Sequence, residues 1–137
     1  MANLIDKQIV EEGYRNAVIK VTGVLDTSDI NLVSFIKPSD FVTNDAMAGV
    51  LSGFRFDAVM YSMGQQLDMA LYWNGGTPQE ITPLARSGKI DATGDGGFLP
   101  DTQRSGYDGS INIKSTGYVP GTVQNFTLLI RLVKLYK

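Results

Sequence analysis

The sequence predicts an all-β fold: a jelly-roll-like β-sandwich of about eight strands with a short N-terminal arm or helix. Three observations support this prediction. Apolar and polar side chains alternate over several short runs, as in strands that bury one face. Clusters of Gly, Pro, Asn and Asp separate these runs at short intervals. No long helical pattern follows residue 13 in the 137-residue chain.

The N-terminal residues 1–13 are predicted to form an arm, and residues 14–137 a single sandwich domain. The apolar residues of the arm have helical spacing over barely three turns: Leu4, Ile5, Ile9 and Val10. An isolated helix of this length is marginally stable in water. We therefore expect the arm to dock on its own domain or on a neighbouring subunit.

The first strand of the domain is predicted to begin at Tyr14, where the apolar period changes to two. Its inward-facing residues are Ala17, Ile19 and Val21. A second short strand is predicted over residues 32–37. Pro38 follows it and lacks the N–H that a central strand needs, so it indicates a strand end or a sheet edge.

The central residues 54–63 and 67–73 alternate again, and the short link Gly64-Gln65-Gln66 predicts that they pair as an antiparallel hairpin. In the first run, the pattern assigns Phe54, Phe56, Ala58 and Met60 to one face and Arg55, Asp57, Val59 and Tyr61 to the other. In the second run, the large side chains on one face are Leu67, Met69, Leu71 and Trp73.

The later segments are shorter and more irregular. A strand over residues 79–86 is interrupted by Pro83 and is predicted at a sheet edge. Residues 89–93 form another short candidate strand. The glycine-rich residues 94–109 have no periodicity and predict a long surface loop.

The last two strands are predicted over residues 110–115 and 125–136. The inward face of the final strand carries Phe126, Leu128, Ile130 and Leu132. Its opposite face carries Leu129, Val133 and Leu135, so we expect this strand to be covered from two directions.

The composition excludes several classes of function. The chain has no cysteine and no histidine, which removes thiolate chemistry, Ser-His-Asp catalysis and nearly all zinc sites. A net charge of −2 without a basic stripe argues against direct binding to nucleic acid. No apolar run is long enough to cross a membrane. The N-terminus has no secretory-signal pattern, so synthesis in the cytoplasm is expected.

Four local patterns are candidates for a chemical site. Asp57 and Asp68 could form a two-carboxylate glycosidase, but both fall on the face opposite the aromatic row, where solvated surface carboxylates are expected. Residues 91–97 are rich in Asp and Gly, which suggests calcium, but they lack the spacing of a calcium loop. The same glycines lack the Lys-Ser/Thr ending of a phosphate loop. Trp73 with Tyr72 could form a sugar platform, or simply pack in the core. The chain is therefore predicted not to be an enzyme, with no catalytic, cofactor or metal residue.

More informative are apolar residues that stand in the arm and in the glycine-rich loop without a local reason. Such side chains are costly when exposed unless a partner covers them. The alternative is that both segments fold back on the core of this domain. The predicted interface consists of Leu4, Ile5, Ile9, Val10, Phe98, Leu99 and Tyr107.

The layout of the chain resembles small virion proteins of tailed phages, namely the head cement or decoration proteins. The resemblance rests on NAVIKVTGVLDTSD at residues 16–29 and LYWN at residues 71–74. It continues with YDGSI at residues 107–111, STGY at residues 115–118 and FTLLIRLVK at residues 126–134. None of these segments is a catalytic signature.

The resemblance implies a non-enzymatic jelly-roll protein on the outer surface of a capsid, made in the host cytoplasm. It implies self-association into dimers or trimers, and contacts that bridge and stabilise subunits of the major capsid protein without a cofactor. The alternative function is a carbohydrate-binding β-sandwich module of a phage tail or fibre, using Trp73 and Tyr72.

Overall fold

Two antiparallel sheets form the fold in the computed structural model, which describes residues 3–13, 15–30, 33–41, 44–45, 49–64, 67–101, 103 and 105–136. The strands of these residues are β1 (Leu4–Glu12), β2 (Asn16–Leu25), β3 (Val33–Ile36), β4 (Asn44–Asp45), β5 (Gly49–Met63), β6 (Asp68–Trp73), β7 (Gln79–Ala85), β8 (Ser87–Asp91), β9 (Ile111–Thr116) and β10 (Gln124–Tyr136). Single 3-10 turns span Pro38–Asp40 and Thr93–Asp95. Tyr14, Leu32, Gln65 and Gln66, which the sequence predicts at strand ends and in a link, lie outside the described residues. Within the described ranges, no helix is long and apolar enough to span a membrane.

The strand order confirms the jelly-roll-like sandwich. One sheet, the six-stranded sheet, runs β1-β2-β10-β5-β4, with β8 also paired to β5. The other, the four-stranded sheet, runs β3-β9-β6-β7. Without β1 and the two-residue β4, the orders 2-10-5-8 and 3-9-6-7 are those of an eight-stranded jelly roll.

The core lies between the two sheets, and the predicted alternation is confirmed along β2, β6 and β10. Ala17, Ile19 and Val21 of β2 are fully buried, and so are Leu128, Ile130 and Leu132 of β10. The four-stranded sheet contributes Leu71, Trp73, Ile111 and Ile113, each no more than 2% exposed. Because β2, β6 and β10 bury every second residue on their inner faces, the two sheets enclose the core between them.

A β-bulge at Asp57 overturns the predicted face assignment in the second half of β5. Arg131 of β10 pairs with Ala58, but the next residue, Leu132, pairs with Phe56, so Asp57 is left as an extra residue. One extra residue moves every later side chain to the opposite face. Val59 is therefore fully buried, whereas Met60 is 53% exposed on the outer face. Phe54 and Phe56, which precede the bulge, face the core as predicted.

The predicted hairpin between residues 54–63 and 67–73 is wrong. β5 belongs to the six-stranded sheet and β6 to the four-stranded sheet, so the chain crosses between sheets after Gly64 instead of turning back within one. The backbone N–H of Gly64 is bonded to the carbonyl of Asn125, at the start of β10. A short link between two alternating runs suits either arrangement, and the crossing completes the jelly roll.

The helical alternative for the arm is also wrong, because Leu4–Glu12 forms β1. This strand pairs antiparallel with β2, from Leu4 opposite Val24 to Glu12 opposite Ala17. The register shifts between Ile9 and Glu11, leaving Val10 as a bulge. The extra residue places the apolar side chains of Ile9 and Val10 next to each other, which gives the sequence an apparent helical spacing. Pairing with β2 stabilises the extended segment, whereas a short isolated helix is only marginally stable.

The position of β7 at a sheet edge confirms the prediction from Pro83. Among the described strands, β7 pairs only with β6, and Pro83 lies opposite Ala70. Arg86 then separates β7 from β8 and adopts a left-handed φ of 63°. Its carbonyl accepts the backbone N–H of Met63, so the chain passes from one sheet to the other within a single residue.

Candidate functional site

β1 forms one edge of the six-stranded sheet and carries four of the predicted interface residues. Leu4 is 71% exposed and Val10 is 53% exposed, at the two ends of the strand. Ile9 is 37% exposed, whereas Ile5 is half-buried and packs against the core. The arm is thus held in its own sheet through its backbone while leaving apolar side chains at the surface.

The middle of β1 is protected against pairing with other strands. Lys7 points toward the core side, where its ammonium donates to the carboxylate of Asp40 at 2.6 Å and to the carbonyl of Phe35. An inward charge and a bulge are both devices that disfavour sheet extension at an edge. Pairing two copies of β1 in register around Asp6 or Lys7 would also place like charges opposite each other. The exposed ends of β1, not its backbone, are therefore the surface available to a partner.

A buried ion pair fixes the end of β1 that carries Val10. The ammonium of Lys134 lies 2.7 Å from the carboxylate of Glu12, and the Lys134 side chain is only 1% exposed. The same ammonium lies 5.8 Å from the centre of the Phe41 ring. Since a buried charge needs a partner, this pair ties β1 to β10 across the intervening β2.

Phe98 and Leu99 lie on the opposite side of the same sheet. The backbone of Phe98 forms a two-bond bridge with Phe56, and the two rings stack with centroids 5.7 Å apart. Phe98 nevertheless remains 38% exposed and its neighbour Leu99 is 64% exposed. The loop is therefore attached to β5 at Phe98 and presents Leu99 outward.

Tyr107, the last predicted interface residue, is half-buried beside β5. A side chain at Gly53 would collide with the Tyr107 hydroxyl, so that glycine makes room for the ring. Burial, and to a lesser extent the neighbouring charge of Asp108, raises the pKa of Tyr107. Tyr107 therefore attaches the loop to β5 and presents little surface to a partner.

Asp108 fixes the base of the same loop. Partial burial alone would raise the pKa of Asp108, but hydrogen bonds from Asn74 and from Ser110 outweigh burial and lower it. The backbone N–H of Ser110 donates to the carboxylate at 3.0 Å. Asn74 also accepts a hydrogen bond from Asn112, which connects the loop to β9. The glycine-rich loop, which shows no periodicity in the sequence, is thus bonded at both ends.

The structure does not bring the two groups of interface residues together. From β1 to the bridge at Phe98 there are four strand spacings, roughly 19 Å across the sheet. The predicted site is therefore two separate apolar contact points on opposite edges of one sheet. Each contact point could meet a different neighbour.

The proposed pair of catalytic carboxylates is divided between the sheets. Asp57 lies at the bulge of β5 and is buried, with its carboxylate accepting from the Arg55 guanidinium at 2.9 Å. Asp68 is exposed at the start of β6 in the four-stranded sheet. The expectation that Asp57 is solvated is wrong, because the bulge turns it into an internal ion pair.

In residues 91–97, the segment suggested to bind calcium, Asp91 is hydrogen-bonded to its near neighbour Thr93. The carboxylate of Asp91 accepts both the hydroxyl and the backbone N–H of Thr93, and these bonds lower the pKa of Asp91. Gly96 and Gly97 have left-handed φ values of 85° and 80° that close the turn. Over the described residues, no group of three or more acidic, histidine or cysteine side chains is placed to hold a metal ion.

The interpretation of Trp73 as a surface platform for a sugar is wrong. The Trp73 side chain is 2% exposed and belongs to the core cluster. A ring must present a face to solvent before a sugar can stack on it, and only Tyr72, half-buried on the outer face of β6, keeps any exposure. Trp73 therefore serves packing.

Sequence reasoning missed a groove on the outer face of the six-stranded sheet. It has a volume of about 100 Å³ and a floor of Val18, Ala58, Met60 and Leu129. The bulge at Asp57 creates it by turning Ala58 and Met60 outward. The sequence gives little sign of this, because residues 58–63 contain apolar side chains at both alternating positions. The double cover predicted for β10 holds for the buried Val133, but Leu129 is only half-buried and lines the groove.

Comparison of the chain with family models, with curated proteins and with solved structures finds no match.

Proposed function

We propose that the chain is a non-enzymatic structural protein of a tailed-phage virion, a cement or decoration protein. It binds the outer surface of the capsid and bridges neighbouring subunits of the major capsid protein. Self-association into a dimer or trimer belongs to the same proposal. The sequence layout suggests this class of protein, and jelly rolls are frequent in viral capsid proteins, which is an argument by analogy of fold.

The observation that carries the proposal is the placement of exposed apolar residues at two opposite edges of one sheet. Leu4 and Val10 lie on the β1 edge, and Leu99 lies beyond β5. A protein that bridges two neighbours needs two separate contact points joined by a rigid structure, and a hydrogen-bonded sheet is such a structure. When the same weak contacts are repeated over a symmetric shell, their sum binds strongly.

The test uses expanded capsids, free of this protein, from the phage that encodes the chain. Binding is measured by co-sedimentation, and shell stability by the temperature at which capsids release their DNA. The wild-type protein is expected to bind and to raise this temperature. One edge variant carries Leu4→Ser with Val10→Ser, and the other carries Leu99→Ser.

Each edge variant is expected to retain weakened binding through its intact edge but to lose most of the shell stabilisation, because bridging requires both. Val123→Ser is the matched control, since Val123 is 60% exposed in the turn before β10. The proposal is wrong if the wild-type protein does not bind capsids. Bridging in particular is wrong if both edge variants stabilise the shell as well as the control does.

A further inference from the structure

The outer face of the six-stranded sheet presents two neighbouring rows of side chains across β2, β10, β5 and β8. The first row is Val18, Arg131, Ala58 and Asp91. The second row, two residues further along each strand, is Lys20, Leu129, Met60 and Lys89. The groove lies where the two rows meet, on β10 and β5.

The centre of the groove is apolar and open. Met60 pairs directly with Leu129 and is 53% exposed, although full burial of a methionine side chain contributes about 1.5–3 kcal/mol. The volume of about 100 Å³ is well below that of typical small-molecule pockets. It suits one aliphatic side chain of a partner, and the flexible thioether of Met60 can adapt to its shape.

Cations surround this apolar centre. Lys20 lies beside Leu129, Lys89 beside Met60 and Arg131 beside Ala58. Within the part of the chain that the structure describes, the side chains of Lys20 and Arg131 make no hydrogen bond and no ion pair. The acidic residue that lines the groove is Asp91, whose carboxylate accepts a hydrogen bond from the Thr93 hydroxyl and lies 3.8 Å from the Lys89 ammonium.

The local charge is therefore opposite in sign to that of the whole chain, whose net charge is −2. Asp6 and Glu11 also face outward on β1, and Glu11 pairs with Val18 at the β2 side of the groove. The three cations Lys20, Lys89 and Arg131 therefore face two acids, Asp91 and Glu11, which leaves the local charge positive. Positive groups around an apolar seat complement a partner with carboxylates around an apolar side chain. Arg131 can also bind a carboxylate through two parallel hydrogen bonds.

A second copy of the chain is a poor occupant of this face. A twofold axis parallel to the strands, between β10 and β5, would place Lys20 opposite Lys89 of the other copy. An axis across the strands at this row would place each lysine opposite its own equivalent. Both arrangements bring like charges together, which disfavours face-to-face pairing.

We propose that this groove docks a short acidic segment of a different protein chain. One apolar side chain of the segment sits between Met60 and Leu129, and its flanking carboxylates meet Lys20, Lys89 and Arg131. The inference does not depend on the proposed virion function, which rests on residues at the sheet edges.

The test follows the ε-methyl group of Met60 by NMR in protein labelled with ¹³C-methyl methionine. The probe is a short capped peptide of glutamates around one central leucine. We expect saturable shifts of the Met60 methyl signal, with a dissociation constant that increases with added salt. Arg131→Glu is expected to weaken binding at least about tenfold. Lys114→Glu, on the outer face of β9 in the other sheet, makes the same charge change and should bind like wild type.

Two further probes distinguish this site from a general anion site. A peptide with serine in place of the leucine should bind more weakly, and inorganic phosphate should leave the Met60 methyl signal unchanged. The proposal is overturned if the leucine peptide leaves Met60 unshifted at millimolar concentration. Equal binding of the serine peptide, or equal weakening by Lys114→Glu and Arg131→Glu, would also overturn it. Loss of capsid binding by the edge variants has no bearing on these outcomes.

Discussion

Glu12→Gln is expected to destabilise the protein by about 3 kcal/mol, because it leaves the ammonium of Lys134 buried without a counter-ion. The Lys134 side chain is 1% exposed, and its Nζ lies 2.7 Å from the Glu12 carboxylate. Breaking a buried pair from one side costs about 3–5 kcal/mol. The lower end applies here, since Glu12 is 20% exposed and the Phe41 ring, 5.8 Å away, continues to attract the cation.

The size of the effect makes it measurable by thermal unfolding followed by circular dichroism. For 137 residues the entropy of unfolding is about 0.29 kcal/mol/K, so a loss of about 3 kcal/mol lowers Tm by about 10 °C. Urea unfolding gives the same free-energy difference independently, provided that the slope with denaturant does not change.

The matched variant is Lys134→Met, which removes the buried charge and keeps a side chain of similar length. It is expected to cost less than Glu12→Gln, and about 1 kcal/mol or less in absolute terms, because an apolar replacement leaves no buried cation. The double variant should resemble Lys134→Met alone. If Glu12→Gln unfolds within about 0.5 kcal/mol of wild type, or if Lys134→Met is the less stable of the two, the pair does not fix β1 as inferred.

Three further predictions concern the loop before β9. Tyr107 should ionise at a higher pH than an ordinary tyrosine, and its contribution to stability should be lost as the pH rises above about 10 through its raised pKa. In an ultraviolet titration, Tyr107→Phe should remove a step above the ordinary range, and an unchanged titration would contradict the burial of Tyr107. Asp108 should contribute to stability above its ordinary pKa of 3.8, and this contribution should be lost as the pH falls toward its lowered pKa. In urea unfolding at a series of acidic pH values, Asp108→Asn should therefore lose less stability than wild type as the pH falls, and an equal loss would contradict this. Gly109→Ala should lower the free energy of unfolding more than Gly121→Ala. Both glycines have a φ of 85°, but only at residue 109 would the new Cβ collide with a neighbour, the Ser52 carbonyl. We expect a loss of about 1 kcal/mol at Gly121 and at least about 3 kcal/mol at Gly109 in urea unfolding, and equal losses would refute the close approach.

The fold class could be predicted because alternation records burial directly. β2, β6 and β10 each bury every second residue without interruption on the core face, so period two in the sequence is period two in the structure. Pro83 likewise marks an edge because a missing N–H has one physical consequence. Predictions of this kind rest on a single residue or a single period.

Strand pairing could not be predicted in the same way. Whether the strand after Gly64 returns to β5 or crosses to the other sheet depends on contacts with β9 and β7, which lie far away in sequence. A helical or extended arm likewise depends on the presence of β2 as a partner, since neither state of Leu4–Glu12 is stable alone. The local pattern is compatible with both outcomes, and the tertiary contacts decide between them.

The candidate interface shows the same division. The sequence leaves open whether the apolar residues of the arm and the loop fold back on the core or stay at the surface, and Leu4, Val10 and Leu99 stay more than half exposed. Phe98 and Tyr107 have the same apolar character, but each contacts β5 of this chain: Phe98 bridges to Phe56, and Tyr107 fills the space at Gly53. These contacts join residues that lie far apart in sequence, so the sequence alone does not reveal them.

The bulge at Asp57 connects the main error of prediction with the main new surface. Residues 58–63 carry apolar side chains at both alternating positions, so hydrophobicity does not determine which set faces the core. The extra residue buries Val59 and turns Met60 outward, next to Leu129 and among three cations. A bulge conserves neither hydrogen bonds nor regular packing, and it persists where the displaced side chains have a use. Asp57 satisfies its own charge through Arg55, and Val59 gains full burial, so the cost of the bulge falls on Met60, which stays 53% exposed. An acidic partner segment that contacts Met60 would bury this side chain.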